Sequence, residues 1–200
     1  MSNETARVEA FSDGVFAIAI TLLILDLKVP SVTQGHLGSA LARQWPTYAA
    51  FLISFWFIGI MWVNHHRLFN HIQRSDNRLL FLNLLLLLGV TVVPFPTALL
   101  AAHFYSPGRT VATAVFNGTY VVLSSSLTCC GTMQLDADYW IQRHSNPPMP
   151  FPRQYAIGPI SYLLCFGLTW ISVPASLIVN IGLAVFFALP PKNRIRTAHA

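Results

Sequence analysis

The sequence predicts an all-α integral membrane protein with six transmembrane helices per chain, on three observations. Of its 200 residues, 54% are hydrophobic and only 10% are charged, against roughly 25% charged in ordinary soluble domains. The mean hydropathy is +0.54, so too few charges remain to coat a soluble surface. Apolar stretches broken by prolines and short polar interruptions recur along nearly the whole length, and a spanning helix takes ~20 residues. Six spans and their connections use up residues 1–200 as a single domain, with no room for a separate catalytic domain outside the membrane. A soluble enzyme, a disordered region and a nucleic-acid module are excluded on this composition. The formal net charge of +5 therefore reads as setting topology rather than as affinity for nucleic acid. Cys129, Cys130 and Cys165 lack metal-site spacing and sit in apolar stretches, as small core residues do.

Glu4, Glu9 and Asp13 stand where a signal peptide carries basic residues, so no signal peptide is expected. The first span is placed at 9–29, about 31 Å of helix, with Asp13 and Asp26 near the two faces and Pro30 ending it. The second, at 46–66, follows Trp45-Pro46 and closes on Asn64-His65-His66-Arg67. The third, at 78–104, contains Pro94 and Pro96. These remove amide donors inside the membrane, so neighbours must compensate or the helix bends. The fourth, at 110–133, carries Ser124, Ser125, Ser126 and Thr128, as helices packed against other helices often do. Residues 134–154 form a polar linker. The apolar stretch 155–190 is too long for one helix, and Ser172-Val173-Pro174 is the expected turn between a fifth span (155–171) and a sixth (174–190).

Six spans put both termini on one side, together with Arg7, Arg67, Arg74, Arg78, Arg143, Arg153, Lys192, Arg194 and Arg196. The other side holds only Lys28, Arg43 and Arg109. This excess makes the termini cytoplasmic by the positive-inside rule.

Ionisable groups at a membrane boundary are costly and face protein or water. At ~100° per residue, Ser12 and Asp13 point well away from the face holding Ile18, Leu22 and Leu25. They would therefore face neighbouring helices and lock the orientation of the first helix. Ile18, Leu22 and Leu25, with Thr21 beside them, share one face at i, i+4 and i+7. On spacing alone that face fits helix or lipid contact, and nothing in the spacing makes a pore. Asp26, one turn before Pro30, is placed at the outer mouth, where a carboxylate can concentrate cations.

Arg7-x-x-x-Phe11-Ser12-Asp13, followed by Ala17-Ile18 and Thr21-Leu22-Leu23, resembles the signature of the endolysosomal-type potassium channel family in its prokaryotic branch. The likeness continues through Trp62-Val63-Asn64-His65-His66-Arg67 and Leu82-Asn83-Leu84…Pro94-Phe95-Pro96. It covers residues 7–105 by motif and the rest by helix count. In that family the motif opens a six-helix repeat; single-repeat bacterial chains assemble as tetramers and two-repeat animal chains as dimers. The resemblance implies a homotetramer in which the first helix lines a central pore. Ile18 would form the narrowest ring, Leu22 and Leu25 further apolar layers, and Thr21 a hydroxyl layer tied to potassium preference. Arg7, Phe11, Ser12 and Asp13 would hold the helix against the second and third helices, with His65, His66 and Asn83 as partners. Ala17 departs from relatives that carry a hydroxyl residue there.

There is no TVGYG-type carbonyl filter, so a pore of this kind gates by dewetting or steric closure. Two other readings stand beside the channel. A secondary cation transporter would show paired broken helices or inverted repeats, and one Pro-broken helix is visible. A haem- or quinone-binding redox protein would use histidines, but His103 lies ~30 Å across the membrane from His65, His66 and His71, leaving His71 with His144. The acids are scattered, and no HExxH, GxSxG or Walker-type loop points to an enzyme. The reading is thus a potassium-preferring channel of a bacterial plasma membrane. Its partners are lipid and further copies of itself, with potassium as the permeant ion and no cofactor.

Overall fold

A computed structural model describes residues 3–31, 36–70, 72, 76–142 and 153–189, and all regular structure among them is helical. The elements are α1 (Asn3–Leu22) running into a 3-10 turn (Leu23–Asp26), then α2 (Leu37–Arg43), α3 (Trp45–Phe69), α4 (Asn77–Val92), α5 (Pro94–His103), α6 (Arg109–Gln142), α7 (Arg153–Leu168) and α8 (Val173–Ala188). Three stretches are long and apolar enough to cross a membrane: Thr5–Asp26, Trp45–Phe69 and Asn77–His103, of 22, 25 and 27 residues. His71 and His144, and the basic residues Arg74, Arg143, Lys192, Arg194 and Arg196, lie outside the described residues.

Several boundaries differ from the sequence expectation, each for a physical reason. α1 begins at Asn3 rather than near residue 9 and leaves helical geometry after Asp26 rather than at 29. Its end tightens, with Leu27 N–H bonding Ile24 O at 3.0 Å, because Pro30 pushes the residue before it toward extended backbone. α2 was not expected, since seven residues are too few to show a helical period. α6 continues to Gln142, so the first part of the expected 134–154 linker is helical. Polar residues alone do not stop a helix; the first proline beyond is Pro147.

The third predicted span is two helices. Pro94 cannot donate to Val90 O, and Val93 N–H takes that carbonyl instead at 3.2 Å. Thr97 then serves Val93 O twice, through its amide at 3.2 Å and its hydroxyl at 2.8 Å. Ser54 of α3 bonds the Thr97 hydroxyl at 2.6 Å. The break thus bends the helix and also draws on a neighbour. The caps elsewhere are ordinary: Asp76 accepts from Leu79 N–H at 2.8 Å to start α4. Ser172 caps α8, with Pro174 in its first turn.

The core joins α1, α3, α4, α6, α7 and α8 through Phe16, Phe57, Leu86, Phe116, Tyr120 and Phe187 among others. An aromatic file crosses it, Phe57 to Tyr120 at 4.3 Å, Tyr120 to Tyr162 at 6.1 Å and Tyr162 to Phe187 at 5.9 Å between ring centroids. α4 approaches α6 closely at Gly89, where a Cβ would lie 2.7 Å from Leu123 Cδ2. Small residues permit such approach in membrane helices. α1 packs between α3 and α4, and the antiparallel pair α7 and α8 packs on α6 and α3.

Polar groups hold the second half together. Asn117 of α6, fully buried, donates to Thr169 Oγ1 at 2.8 Å and to Ser176 Oγ at 2.6 Å, and accepts from the Asn180 amide. Thr169 and Ser176 lie 3.0 Å apart across the α7–α8 turn. α6 packs against α4, α5, α7 and α8 as its serines suggested, with Ser124 and Ser126 buried, while the hydroxyls of Ser124 and Ser125 donate to Val121 O of their own helix. Asn117→Ala removes three buried hydrogen bonds and leaves the Asn180 amide without its acceptor. It should lower stability in detergent by about 2 kcal/mol or more, whereas the exposed Thr119→Ala should stay within ~0.5 kcal/mol. Thermal unfolding followed by circular dichroism checks both.

Candidate functional site

Two stripes run along α1. Thr5, Glu9, Ser12, Phe16, Ala19 and Leu23 are buried, while Arg7, Phe11, Gly14, Ile18, Leu22 and Leu25 are exposed. Both sets step by three and four residues, so each forms a continuous line on a helix, and the two lie ~200° apart at ~100° per residue. Phe16, Ala19 and Leu23 enter the core. Ile18 is 59%, Leu22 42% and Leu25 68% exposed, with Ala17 and Thr21 exposed beside them. The Thr21 hydroxyl donates to Ile18 O at 2.8 Å, which spends its proton on its own helix and leaves its lone pairs facing outward. In the 3-10 turn, at ~3 residues per turn, Leu25 stands nearly above Leu22.

On the buried side a directed chain of hydrogen bonds joins α1 to α3 and α4. Asn83 of α4 donates from Nδ2 to Ser12 Oγ at 2.9 Å. Its Oδ1 is therefore the acceptor toward His65 Nε2 of α3, also at 2.9 Å. His65 accordingly carries its proton on Nε2. Ser12 passes its own proton to Val8 O at 2.9 Å. Ser12, His65 and Asn83 are all fully or nearly fully buried, and the His65 ring stacks 4.3 Å from Phe69 and tilts against Phe16 at 5.3 Å.

A second layer lies on the α3 flank. Trp62 donates from Nε1 to Asp13 Oδ1 at 2.8 Å, and His66 Nδ1 meets Glu9 Oε1 at 2.7 Å. The Trp62 and His66 rings stack 6.1 Å apart. Of the residues singled out in the sequence, the structure thus brings Ser12, Asp13, His65, His66 and Asn83 to the α1–α3–α4 junction. Arg7 and Phe11 take no part in these bonds; they fall on the exposed stripe because they sit seven and three residues before Gly14 and share its side of the helix. Asp13 is half-buried, not enclosed. Asp26 is also half-buried, and its Oδ2 is shielded from solvent.

Glu9 and Trp62 were not named as site residues. Glu9 was legible in principle, since it precedes Ser12 and Phe16 in the buried series at the same spacing. Trp62 stands inside the quoted second-helix motif, four residues before His66 on the same face, but a tryptophan at a helix end reads first as an interfacial anchor.

The two flanks of the exposed stripe are grooves, one between α1 and α4 lined by Arg7, Phe11, Leu80 and Leu84, the other between α1 and α3 lined by Asp13, Ala17, Ile20 and Trp62. No group of three or more metal-ligating side chains occurs among the described residues.

Comparison with known proteins agrees with this arrangement. The family model described as "Endosomal/lysosomal potassium channel TMEM175" matches residues 7–94, the stretch holding both stripes and the whole polar junction. A potassium channel of Chamaesiphon minutus is 45% identical over 194 residues, covering 94% of this chain and 95% of its own. A potassium channel of Streptomyces collinus is 43% identical, covering 92% of each chain. The crystal structure of a lysosomal potassium-selective channel TMEM175 homolog from Chamaesiphon minutus superimposes with a TM-score of 0.83 at 43% identity, covering 94% of this chain and 97% of that one. With such identity over nearly its whole length, the chain belongs to the TMEM175 family of membrane ion channels and is not an enzyme.

Proposed function

We propose that four copies of this chain form a potassium-preferring cation channel in a bacterial plasma membrane, with α1 lining the central pore. Six spans carry it: α1 with its 3-10 turn, α3, α4 with α5, α6, α7 and α8, with α2 outside them and both termini cytoplasmic. α7 and α8, of 16 residues each, are about 24 Å long. They fall short of the ~30 Å hydrocarbon core and depend on flanking residues or local thinning to bridge it.

The observation that carries the reading is the exposed apolar stripe of α1 set opposite a buried, fully directed polar junction. Lipid contact alone needs no particular rotation of a helix. A pore does, because each ring of side chains must repeat at one height in every copy. In a tetramer the stripe gives rings of Ile18, Leu22 and Leu25, and Thr21 adds four outward-facing hydroxyl oxygens next to the Ile18 ring. Arg7 and Phe11 fall at the cytoplasmic entrance of the same stripe. An Ile ring excludes water, and moving a bare ion into an apolar medium costs on the order of tens of kcal/mol. A short constriction therefore dominates the barrier, while Thr21 oxygens can stand in for part of the lost hydration. The names of the Chamaesiphon and Streptomyces relatives support potassium as the permeant ion.

The decisive measurement is the reversal potential of purified protein in bilayers with asymmetric potassium and sodium; equal permeability to both ions refutes potassium preference. Ile18→Asn and Ile18→Ala should raise flux several-fold and weaken discrimination against sodium at matched tetramer content. Leu23→Ala, at a fully buried core position, should cost about 2–5 kcal/mol of stability without changing selectivity. A well-assembled Ile18→Asn with wild-type flux and selectivity removes Ile18 from the pore.

The Ser12–Asn83–His65 junction is proposed to set the rotation of α1. Asn83→Leu should leave the His65 Nε2–H unsatisfied, at about 1–3 kcal/mol, detach Ser12 from α4, and reduce tetramer yield and current together. Asp13→Asn should be milder, since its amide oxygen can still accept from Trp62. Asp26→Asn should lower conductance chiefly at low ionic strength, as screening acts over ~8 Å at physiological salt. Size-exclusion profiles alongside flux rank the three; an Asn83→Leu variant that assembles and conducts normally overturns the proposed role.

A further inference from the structure

α2 is the one helix of the described chain that buries none of its residues. At ~100° per residue, Leu37 and Leu41 lie ~40° apart on one side, and Ser39 and Arg43 lie ~200° and ~240° from Leu37 on the other. The two leucines are 50% and 40% exposed. α2 meets the span α3 through Gln44 alone. Pro46 cannot donate to Ala42 O, so the hydrogen-bond ladder is interrupted there and α2 and α3 are separate helices. The first residue of α3, Trp45, donates its indole N–H to the Tyr105 hydroxyl at 2.6 Å and packs edge-on against Phe104 at 5.1 Å. Tryptophan and tyrosine so placed mark the headgroup level of a bilayer. α2 therefore lies at that level, with an apolar side and a polar side, and its two leucines keep 50% and 40% of their surface exposed among the described residues.

We propose that α2 lies in the outer-leaflet interface, with Leu37 and Leu41 inserted among acyl chains and Arg43 held at lipid phosphates. The assignment of leaflet rests on the six-span topology proposed above. Charge decides between lipid and a second copy as the occupant. In that topology the outer side carries Lys28, Arg43 and Arg109, while Asp26 is its only acid and has a shielded oxygen. A second copy would bring further cations to this end, whereas lipid phosphates supply the opposite charge. Short amphipathic helices with a basic polar face bind membranes in this way, more tightly when the lipid is anionic.

The test places a diazirine amino acid at position 41 in the full chain, reconstituted in phosphatidylcholine liposomes with phosphatidylglycerol, with position 39 as the matched control. Illumination at position 41 should give a lipid adduct visible as a mass increase, and position 39 should be quenched mainly by water. Arg43→Gln should reduce the phosphatidylglycerol share of the adduct several-fold. A cross-linked dimer at position 41 would mean that α2 covers a second copy, and water quenching there would place it in solution; either overturns the proposal. Equal lipid labelling at 39 and 41 overturns the assigned face, and an unchanged lipid ratio in Arg43→Gln overturns the role of that side chain. The readout involves no ion flux, so it can fail while the channel reading stands, and the reverse.

Discussion

The side chain of Asn83 bonds α1 and α3 to α4 at a single point. An amide in hydrocarbon must use its donor and its acceptor, since each unsatisfied group is costly. Here one end is used on Ser12 and the other on His65. Rotating α1 by a single residue, ~100°, would take Ser12 out of reach and drive a different residue into the core at Phe16, Ala19 and Leu23. The apolar packing beneath would tolerate some slippage, because methyl groups have no direction. The hydrogen bonds do not. Everything proposed about the exposed stripe depends on that difference.

A second cluster does the same for the other half of the molecule with different residue types. Asn117 binds α6 to both arms of the α7–α8 hairpin, across a turn where Thr169 and Ser176 also meet. Two asparagines, one in each half, thus serve as the centres of interhelical bonding, and the hydroxyl residues around them act as acceptors or satisfy their own helices. Between the halves, the Ser54–Thr97 contact ties α3 to α5 just beyond the break at Val93.

Much of this was open to reading from residues alone, and what was not has identifiable causes. Helical class and membrane character follow from composition, which no local detail can overturn. The α7–α8 boundary was visible at Ser172 and Pro174 because capping chemistry is local. The start of α1 was misplaced because polar residues before Glu9 can still be helical in water, and hydropathy does not report that. α2 escaped notice because seven residues cannot show a period. In the site, Ser12 and Asn83 were readable as interior polar residues, but their pairing depends on which rotamers meet across three helices, and periodicity is blind to that. Arg7 and Phe11 show the converse: belonging to one motif did not place them on one side of the helix with Ser12.

Glu9, Ser12 and Asp13 bond α1 to its neighbours near its start, and Phe16, Ala19 and Leu23 pack by apolar contact beyond. Mechanically this is a rod clamped at one end and merely leaning on its neighbours beyond. Leu25 stands twelve residues above Asp13, ~18 Å along the axis, so a tilt of ~10° about the clamp carries it ~3 Å sideways without breaking a hydrogen bond. In the proposed channel such a tilt would move the Leu25 layer by the width of an ion relative to the polar junction, against the packing of Phe16, Ala19 and Leu23.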